Sequence, residues 1–192
     1  DHIGVLGNTL EEIAENKAGI IKPSCQAVVT APQKPFVIRI LQEKTEECGC
    51  QIRIAHPEKA KVKRELMDGQ IFSYEEYEDI HLNLIGRYQI DNAVTVLEAV
   101  KALNENGAVI PEDAVRAGFA KVIWQGRFQV LEREPLMIAD GAHNQDAALR
   151  LAENVRTYLA GRRIIGVMGV FKDKEYRKMA EIMAPYLTKV YT

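Results

Sequence analysis

The sequence predicts an α/β protein in which parallel strands alternate with helices. Two observations support this prediction. Short apolar runs that are typical of buried strands alternate with amphipathic helical patterns, first before residue 57 and again after residue 127. Between these regions, residues 57–88 break the rhythm, and Asp68-Gly69 stands between short alternating segments, as a hairpin turn would. We therefore expect parallel sheets with a small antiparallel extension.

The first predicted element is a helix with a capping box. Thr9 precedes Glu12 by three residues, so we expect a helix over 10–18 that ends near Gly19. The basic run Lys59–Arg64 is interpreted as a solvated face. The other elements predicted in this half are, in chain order, a strand at 26–31, a helix at 34–47, a strand at 51–55, strands at 71–74 and 81–84, and helices at 90–103 and 112–120.

A new alternation begins after Gly126, where we place a domain boundary. Residues 1–126 then belong to one domain and residues 127–192 to a second. The chain starts without Met and stops inside a predicted strand, so we expect it to be a fragment of a longer polypeptide. The elements predicted in the second domain are strands at 128–132 and 136–140, a helix at 146–159, a strand at 163–169, a helix from about 174 and a strand from about 188.

Composition and charge argue against several classes of partner. A formal net charge of -2 gives no electrostatic reason to bind nucleic acid or an anionic membrane. No apolar run approaches the roughly 20 residues that span a bilayer, and because the sequence opens on Asp1-His2 rather than on a basic and then apolar segment, we expect no signal peptide. Cys25, Cys48 and Cys50 lack the spacing of a zinc site, so we expect reduced thiols in a cytoplasmic protein.

The most informative stretch is the segment Asp140–Asn144, which has the sequence Asp-Gly-Ala-His-Asn. It follows the apolar run 135–139, which is typical of a buried strand, and precedes a helical pattern that starts at Gln145. Ligands of open α/β sheets bind at such carboxyl ends of strands. The segment brings a carboxylate, a titratable ring and a helix N-terminus together, which favours a binding or catalytic site.

Several motifs spread over the chain form one ordered pattern. They are Asp1-His2 followed by Leu6-Gly7-Asn8-Thr9-Leu10-Glu11-Glu12-Ile13-Ala14-Glu15-Asn16-Lys17-Ala18-Gly19-Ile20-Ile21-Lys22, then Gln89 with Asn92-Ala93, Trp124-Gln125-Gly126-Arg127, the segment Asp140–Asn144, and Lys172-Asp173-Lys174. Each motif is weak by itself, but in this order they cover essentially the whole chain. Together they resemble the folylpolyglutamate synthase and dihydrofolate synthase family of the Mur-ligase superfamily.

The resemblance implies both a fold and a reaction. The fold would be Mur-ligase-like α/β, with part of a central ATPase domain followed by a Rossmann-like C-terminal domain, both incomplete. Members of the family use ATP and Mg2+ to activate a folate or dihydropteroate carboxylate as an acyl phosphate, which the amine of L-glutamate attacks. Phosphorylation supplies the leaving group that a carboxylate lacks. The intact enzyme would be a cytoplasmic monomer that binds neither nucleic acid nor membrane.

The resemblance implies two metal ligands. His2 matches a magnesium-binding histidine, and Lys17 matches a lysine that carbamylation turns into an anionic ligand, so Lys17 is also a candidate catalytic residue. Imidazole is not a usual ligand of a hard cation, so the role of His2 depends on the resemblance, and a terminal histidine could be incidental. The family has Glu where this chain has Asn16, and Lys17 could be an ordinary surface lysine.

The resemblance also implies a nucleotide site. Asn92, Arg127 and Asp140 match nucleotide-contacting positions, and His143, in the same turn as Asp140, is the second candidate catalytic residue. A guanidinium near the domain boundary can reach the phosphates of ATP. Plainer roles stay open, namely a helix cap for Asn92 or Asp140, a salt bridge for Arg127 and a satisfied polar group for His143. Lys172-Asp173-Lys174 could contact the nucleotide or the amino acid, or form a solvated turn.

Two other functions stay open. The chain could belong to a Mur-type ligase that acts on peptidoglycan precursors, or it could be a non-catalytic nucleotide-binding module. No Gly-x-x-x-x-Gly-Lys-Ser/Thr phosphate loop occurs in the sequence. In the family this loop lies upstream of the position that matches Asp1, so the gene sequence upstream of Asp1 distinguishes a ligase from a module.

We expect the 192-residue chain by itself to be inactive as a ligase, because its sequence contains no phosphate loop to hold ATP. A glutamate-dependent ADP-release assay on the isolated chain should show no turnover above a control without protein. Normal turnover would contradict the expectation that ATP binding depends on a segment outside this sequence.

Overall fold

The computed structural model describes residues 6–171 and 174–192, which form two compact units. Of the predicted site residues, His2 lies outside the described part of the chain, as do Lys172 and Asp173 of the last motif. The described residues of the first unit are 6–61, 74–78 and 90–117, and those of the second are 62–73, 79–89, 118–171 and 174–192.

The first unit begins with the predicted capping box and helix α1 (Leu10–Ala18). Thr9 Oγ1 accepts a hydrogen bond from the Glu12 amide at 3.1 Å, and the Glu12 carboxylate accepts one from the Asn8 amide at 2.7 Å. Side chains therefore satisfy amides that the first turn of a helix leaves without main-chain partners. The helix ends before Gly19, as predicted.

A strand–helix–strand unit follows and forms the predicted parallel pair. Strand β1 (Ala27–Thr30) lies beside β2 (Gln51–Ile54), with Val28 opposite Ile52. The connection between them is helix α2 (Pro35–Cys48). Parallel neighbours need such a crossover because the chain must return to the same end of the sheet before the second strand begins.

Two further helices lie near their predicted positions. Helix α3 (Arg87–Glu105) begins three residues before its predicted start, and helix α4 (Glu112–Lys121) follows Pro111. Four buried side chains of α3 have the i, i+3, i+4, i+7 spacing of one helix face. They are Ile90, Ala93, Val94 and Leu97. Within the described part of the chain, no helix has both the length and the apolar character needed to cross a membrane.

A three-stranded sheet in the order β3-β4-β5 interrupts the alternation. Its strands are β3 (Lys61–Leu66), β4 (Gly69–Tyr74) and β5 (Tyr77–Leu82). Two-residue connections join the neighbours, as only antiparallel strands allow, so the predicted extension is present. The interpretation of Lys59–Arg64 as only a solvated face was incomplete, because most of this run lies in β3, whose side chains are largely exposed. The strand predicted at 81–84 begins four residues earlier.

The second unit contains an antiparallel and a parallel strand pair. Its elements are β6 (Gln129–Arg133), β7 (Leu136–Ala139), α5 (Gln145–Tyr158), β8 (Ile165–Val167), α6 (Tyr176–Met183) and β9 (Lys189–Tyr191). Strands β6 and β7 are antiparallel, and β8 and β9 are parallel. The core of this unit consists of Phe128, Ala152, Val155, Leu159 and Met183. The order of strands and helices follows the prediction.

The first unit contains a cluster of charges around Lys101, whose side chain is only 13% exposed. Its ammonium contacts the carboxylate of Glu75, and it lies 3.0 Å from that of Glu76 and 3.4 Å from that of Glu98. The Tyr74 hydroxyl donates to Glu98 at 2.9 Å. Arg53 Nη1 also lies 3.1 Å from Glu98, so two cations, Lys101 and Arg53, compensate the charge of this buried carboxylate.

The substitution Lys101→Met should lower the free energy of unfolding by about 2 kcal/mol at neutral pH, because Glu75, Glu76 and Glu98 lose the cation they share, while Arg53 still pairs with Glu98. The Lys101 hydrogen bond holds the pKa of the Glu75 carboxyl below its usual range. A carboxyl whose pKa is lowered by folding stabilises the protein above its unfolded pKa of about 4.3, and that contribution is lost as the pH falls. In urea unfolding, the difference between wild type and variant should therefore shrink below about pH 4.5.

Lys44→Met is the matched control, because Lys44 makes an exposed ion pair with Glu47 at 2.8 Å. Exposed pairs contribute little to stability, so this variant should unfold at the same urea concentration as the wild type. Equal losses of stability in the two variants would contradict the role assigned to Lys101.

Candidate functional site

Three of the predicted site residues, Arg127, Asp140 and His143, lie together in the second unit. They occupy two loops, one that precedes β6 and one that joins β7 to α5. Asp140 directly follows β7, so the site lies at the carboxyl end of that strand. Lys17 on α1 and Asn92 on α3 belong to the first unit.

The Asp140 carboxylate links the two loops. Its Oδ2 accepts a hydrogen bond from the amide of Phe128 at 2.8 Å, and its Oδ1 accepts one from the amide of Ala142 at 2.8 Å. The amide of Gly141 donates to the carbonyl oxygen of Gly126 at 2.7 Å, which adds a main-chain bond between the same loops. Each carboxylate oxygen has two acceptor sites, so Asp140 keeps the capacity to accept hydrogen bonds from a ligand.

Asn144, and not Asp140, caps helix α5. Its Oδ1 accepts a hydrogen bond from the amide of Ala147 at 2.8 Å. The alternative role of Asp140 as a helix cap is therefore wrong. Asn92 does not cap α3 either, because it is the sixth residue of that helix, where its exposed side chain is beyond the first turn.

Phe128 has a backbone conformation that few side chains adopt. Its φ is +45°, and its side chain is buried with the ring centroid 5.8 Å from that of Tyr158. A non-glycine residue in the left-handed region persists only where its surroundings hold it there. The bond from its amide to Asp140 and the packing on Tyr158 provide this restraint, so the residue that follows Arg127 is held on two sides.

Arg127 lies half-buried against the same loops. Its Nη1 donates to the carbonyl oxygen of Gly126 at 3.3 Å and lies 2.8 Å from where a Cβ at position 141 would stand. Gly141 therefore leaves room for the guanidinium. Arg127 also lines a cavity of about 320 Å³ together with Trp124 and Arg133. A cavity of this size is at the lower end of the range for ligand pockets.

The turn around His143 determines which ring nitrogen carries the proton. His143 is exposed, and its Nδ1 lies 2.9 Å from the carbonyl oxygen of Gly141. Because a carbonyl oxygen only accepts, Nδ1 must be the donor. In the neutral ring Nε2 is then the proton acceptor, which is the form that a general base needs.

Tyr88 was not predicted as a site residue, although its neighbour Gln89 belongs to one of the motifs. Burial raises the pKa of the Tyr88 hydroxyl, and the nearby charge of Asp140 raises it further. The amides of Gln89 and Asn154 and the charge of Arg127 act in the opposite direction. The hydroxyl is therefore protonated at neutral pH and lies within electrostatic reach of both Asp140 and Arg127.

Gly86 allows Asn154 of α5 to approach the start of α3. Its φ is +104°, and a Cβ there would lie 2.6 Å from Asn154 Oδ1 and 2.8 Å from the Tyr88 ring. The carbonyl oxygen of Gly86 accepts a hydrogen bond from Gln70 Nε2 at 3.0 Å. Both the positive φ and the close contact require glycine at this position.

The described residues do not by themselves form a metal site. No group of three or more His, Cys, Asp or Glu side chains among them is arranged to hold an ion. Lys17 is exposed on α1, and its neighbour Asn16 donates to the carbonyl oxygen of Leu6 at 2.5 Å. The roles of Lys17 and His2 as metal ligands stay predictions. The three cysteines are free thiols, namely Cys25, Cys48 and Cys50.

The substitution Gly86→Ala should destabilise the protein by about 2–4 kcal/mol, because the added methyl group would overlap the Asn154 amide. Gly107→Ala is the control, since Gly107 also has a positive φ of +93° but a Cβ there meets nothing within 4 Å. The Gly107→Ala substitution should lower the free energy of unfolding by only about 1–2 kcal/mol, which is the cost of backbone strain. Urea unfolding measures both values, and equal losses would contradict the close contact at Gly86.

Comparisons with known proteins find related sequences along the whole chain. A family model described as "Mur ligase, glutamate ligase domain" matches residues 126–192. The dihydrofolate synthase/folylpolyglutamate synthase of Bacillus subtilis is 37% identical over 185 residues, which are 93% of this chain and 43% of that protein. The chain thus spans less than half the length of the curated relatives it matches.

Solved structures show the same similarity. The Mycobacterium tuberculosis folylpolyglutamate synthase in complex with ADP matches with a TM-score of 0.83 and 32% identity, over 99% of this chain and 44% of that one. The apo form of the L. casei enzyme matches with a TM-score of 0.83 and 28% identity, over 100% and 47%. The predicted Mur-ligase-like α/β fold is therefore confirmed. The chain belongs to the folylpolyglutamate synthase and dihydrofolate synthase family of Mur ligases.

Proposed function

We propose that this chain contributes part of the nucleotide site of an ATP-dependent ligase that adds L-glutamate to folate. The observation that supports the proposal most strongly is the Asp140 carboxylate, which two main-chain amides hold beside Arg127 while acceptor sites stay available. A fixed acceptor next to a cation suits a ribose and its phosphates. The related M. tuberculosis enzyme binds ADP, which is consistent with this assignment.

The proposed reaction has two steps. A carboxylate of the folate attacks the γ-phosphorus of ATP, the bond to the β-phosphate oxygen breaks, and ADP leaves the acyl phosphate. The amine of glutamate then attacks the acyl carbon, the carbon–oxygen bond to phosphate breaks, and the amine loses a proton as the amide forms. Each step moves negative charge onto phosphate oxygens, so a positioned guanidinium lowers the barrier.

We propose the following roles for individual side chains. Asp140 accepts hydrogen bonds from the ribose hydroxyls, and Arg127 binds the phosphates. Asn92, exposed on α3, is a further proposed nucleotide contact. His143, whose neutral ring has Nε2 as its acceptor, is the proposed catalytic residue of this turn.

Mg2+ is proposed to accompany ATP, with His2 and a carbamylated Lys17 as its ligands. The ion would neutralise charge on the transferred phosphoryl group. These two assignments depend on the family resemblance alone, because His2 lies outside the described residues and Lys17 is an exposed side chain of α1. The roles proposed for Arg127, Asp140 and His143 do not require the ion.

The acceptor substrate is proposed to be folate, with dihydropteroate as an additional acceptor if the enzyme also acts as a dihydrofolate synthase. The structure of a related folylpolyglutamate synthase has been solved with AMPPCP and folate, which supports folate as the acceptor. We further propose a domain boundary near Gly126, a monomeric intact enzyme and a cytoplasmic location. Neither nucleic acid nor membrane is a proposed partner.

Arg127→Ala in the full-length product of the gene should raise the KM for ATP by at least about tenfold, because a charge-assisted contact to phosphate is lost. The assay is ADP release that depends on both L-glutamate and either tetrahydrofolate or dihydropteroate. The same assay on the wild type tests the function itself and identifies the acceptor.

Arg150→Ala is the matched control, since it removes the same charge from an exposed position on α5, where Arg150 lies 3.8 Å from Glu153. Its KM for ATP should equal that of the wild type. An unchanged KM in Arg127→Ala would contradict the role of Arg127, and a wild type without glutamate-dependent ADP release would contradict the function.

A further inference from the structure

The cavity that Arg127 lines continues along strand β6, beyond the residues that the proposed nucleotide site uses. Its volume is about 320 Å³, and all the residues that line it belong to the second unit. Arg133, at the end of β6, is one of them. We call this cavity the β6 groove. Its lining consists of residues 67–69, 83–85, 122–124 and 127–130 together with Arg133.

The β6 groove has an excess of positive charge. Within residues 6–171 and 174–192, no carboxylate forms an ion pair with Arg127 or Arg133. Glu132, next to Arg133, instead accepts a hydrogen bond from its main-chain amide at 2.8 Å. Asp68 is the carboxylate in the described lining, and Arg64 already binds both of its oxygens, at 2.7 and 3.0 Å. Two guanidinium groups without paired carboxylates favour an anionic ligand.

The two cations are separated along an extended strand. Arg127 lies two residues before β6, and Arg133 is the last residue of that strand. Because a strand rises by about 3.3 Å per residue, the five residues of β6 span about 13 Å between their first and last Cα atoms. This separation favours an elongated anion, with charges repeated along its length, over a compact one.

The groove also offers apolar side chains to a ligand. Trp124 and Ile123 line it, and they are 61% and 78% exposed. An indole ring provides a large apolar surface on which methylene groups can pack. A tail of successive glutamates has the matching composition, because each amide bond uses one carboxylate of a residue and leaves the other free beside its methylene groups.

We infer that the β6 groove binds the oligoglutamate tail of the folate acceptor, and that Arg133 determines the specificity for tails of more than one glutamate. The carboxylate that attacks ATP lies at the Arg127 end, and the glutamates added earlier extend along β6 with their free carboxylates toward Arg133. An acceptor with a single glutamate places no further carboxylate in the groove. This inference rests on the proposed function, because it assumes that the intact protein adds glutamate to folate.

The test is Arg133→Ala in the full-length product of the gene, assayed by ADP release with folate that carries either one or three glutamates. The KM for the triglutamate acceptor should rise about fivefold, as expected for the loss of an exposed charge pair. The KM for the monoglutamate acceptor, the KM for ATP and the kcat should stay within about twofold, because Arg133 contacts neither the nucleotide nor the reacting atoms. Arg133→Lys keeps the charge and should restore most of the affinity for the triglutamate.

Arg150→Ala is the matched control, because it removes the same charge from an exposed position on α5 outside the groove. It should change the KM of neither acceptor. The inference is overturned if Arg133→Ala leaves the KM for the triglutamate unchanged, if it raises the KM of both acceptors equally, if it raises the KM for ATP, or if the control has the same effect.

The wild type separates this inference from the proposed function. A wild-type protein without glutamate-dependent ADP release on any acceptor contradicts the function, whatever the variants do. A wild-type protein that uses the monoglutamate or dihydropteroate but not the triglutamate leaves the ligase reaction standing and removes only the role of the β6 groove.

Discussion

The site depends on one carboxylate that accepts two main-chain amides. Asp140 follows β7 directly, and its two oxygens bind the amides of Phe128 and Ala142. These bonds hold the loop that carries Arg127 against the loop that carries His143. Because hydrogen bonds to a charged acceptor are stronger than those between neutral groups, this single side chain can hold Phe128 in its unfavourable backbone conformation.

The same arrangement accounts for the residue types at the neighbouring positions 141 and 144. Asn144 caps α5, which leaves the Asp140 carboxylate to the loops and to a ligand. Gly141 leaves space for the Arg127 guanidinium, and its carbonyl oxygen fixes the tautomer of His143. An acceptor, a cation and an imidazole are thereby oriented by the backbone before any ligand binds, which reduces the cost of binding.

Much of this fold follows from local patterns in the sequence. The capping box at Thr9, the parallel pair around α2 and the position of Asp140 at a strand end are all set by residues close together in the chain. Strand β3 was not predicted, because an exposed strand that is rich in charged residues has the composition of a solvated loop. The motifs also indicated the family, because their order along the chain can be seen in the sequence without any knowledge of the packing.

The contacts inside the site were beyond prediction because they join distant residues. The bond between Asp140 and Phe128 spans twelve positions and depends on how two loops meet. The close approach of both Tyr88 and Asn154 to Gly86 depends on the absence of a side chain at that position. A pattern of residue types carries no information about such an approach, so Tyr88 stood beside a recognised motif without being predicted.

The central claim is that Asp140, held by two main-chain amides, binds the nucleotide together with Arg127. Its most direct test is a crystal structure of the full-length gene product with a non-hydrolysable ATP analogue. We expect the ribose hydroxyls within hydrogen-bond distance of the Asp140 carboxylate, the Arg127 guanidinium on the phosphates, and the amides of Phe128 and Ala142 still bound to Asp140. A nucleotide bound away from this carboxylate, or a carboxylate that releases both amides on binding, would contradict it.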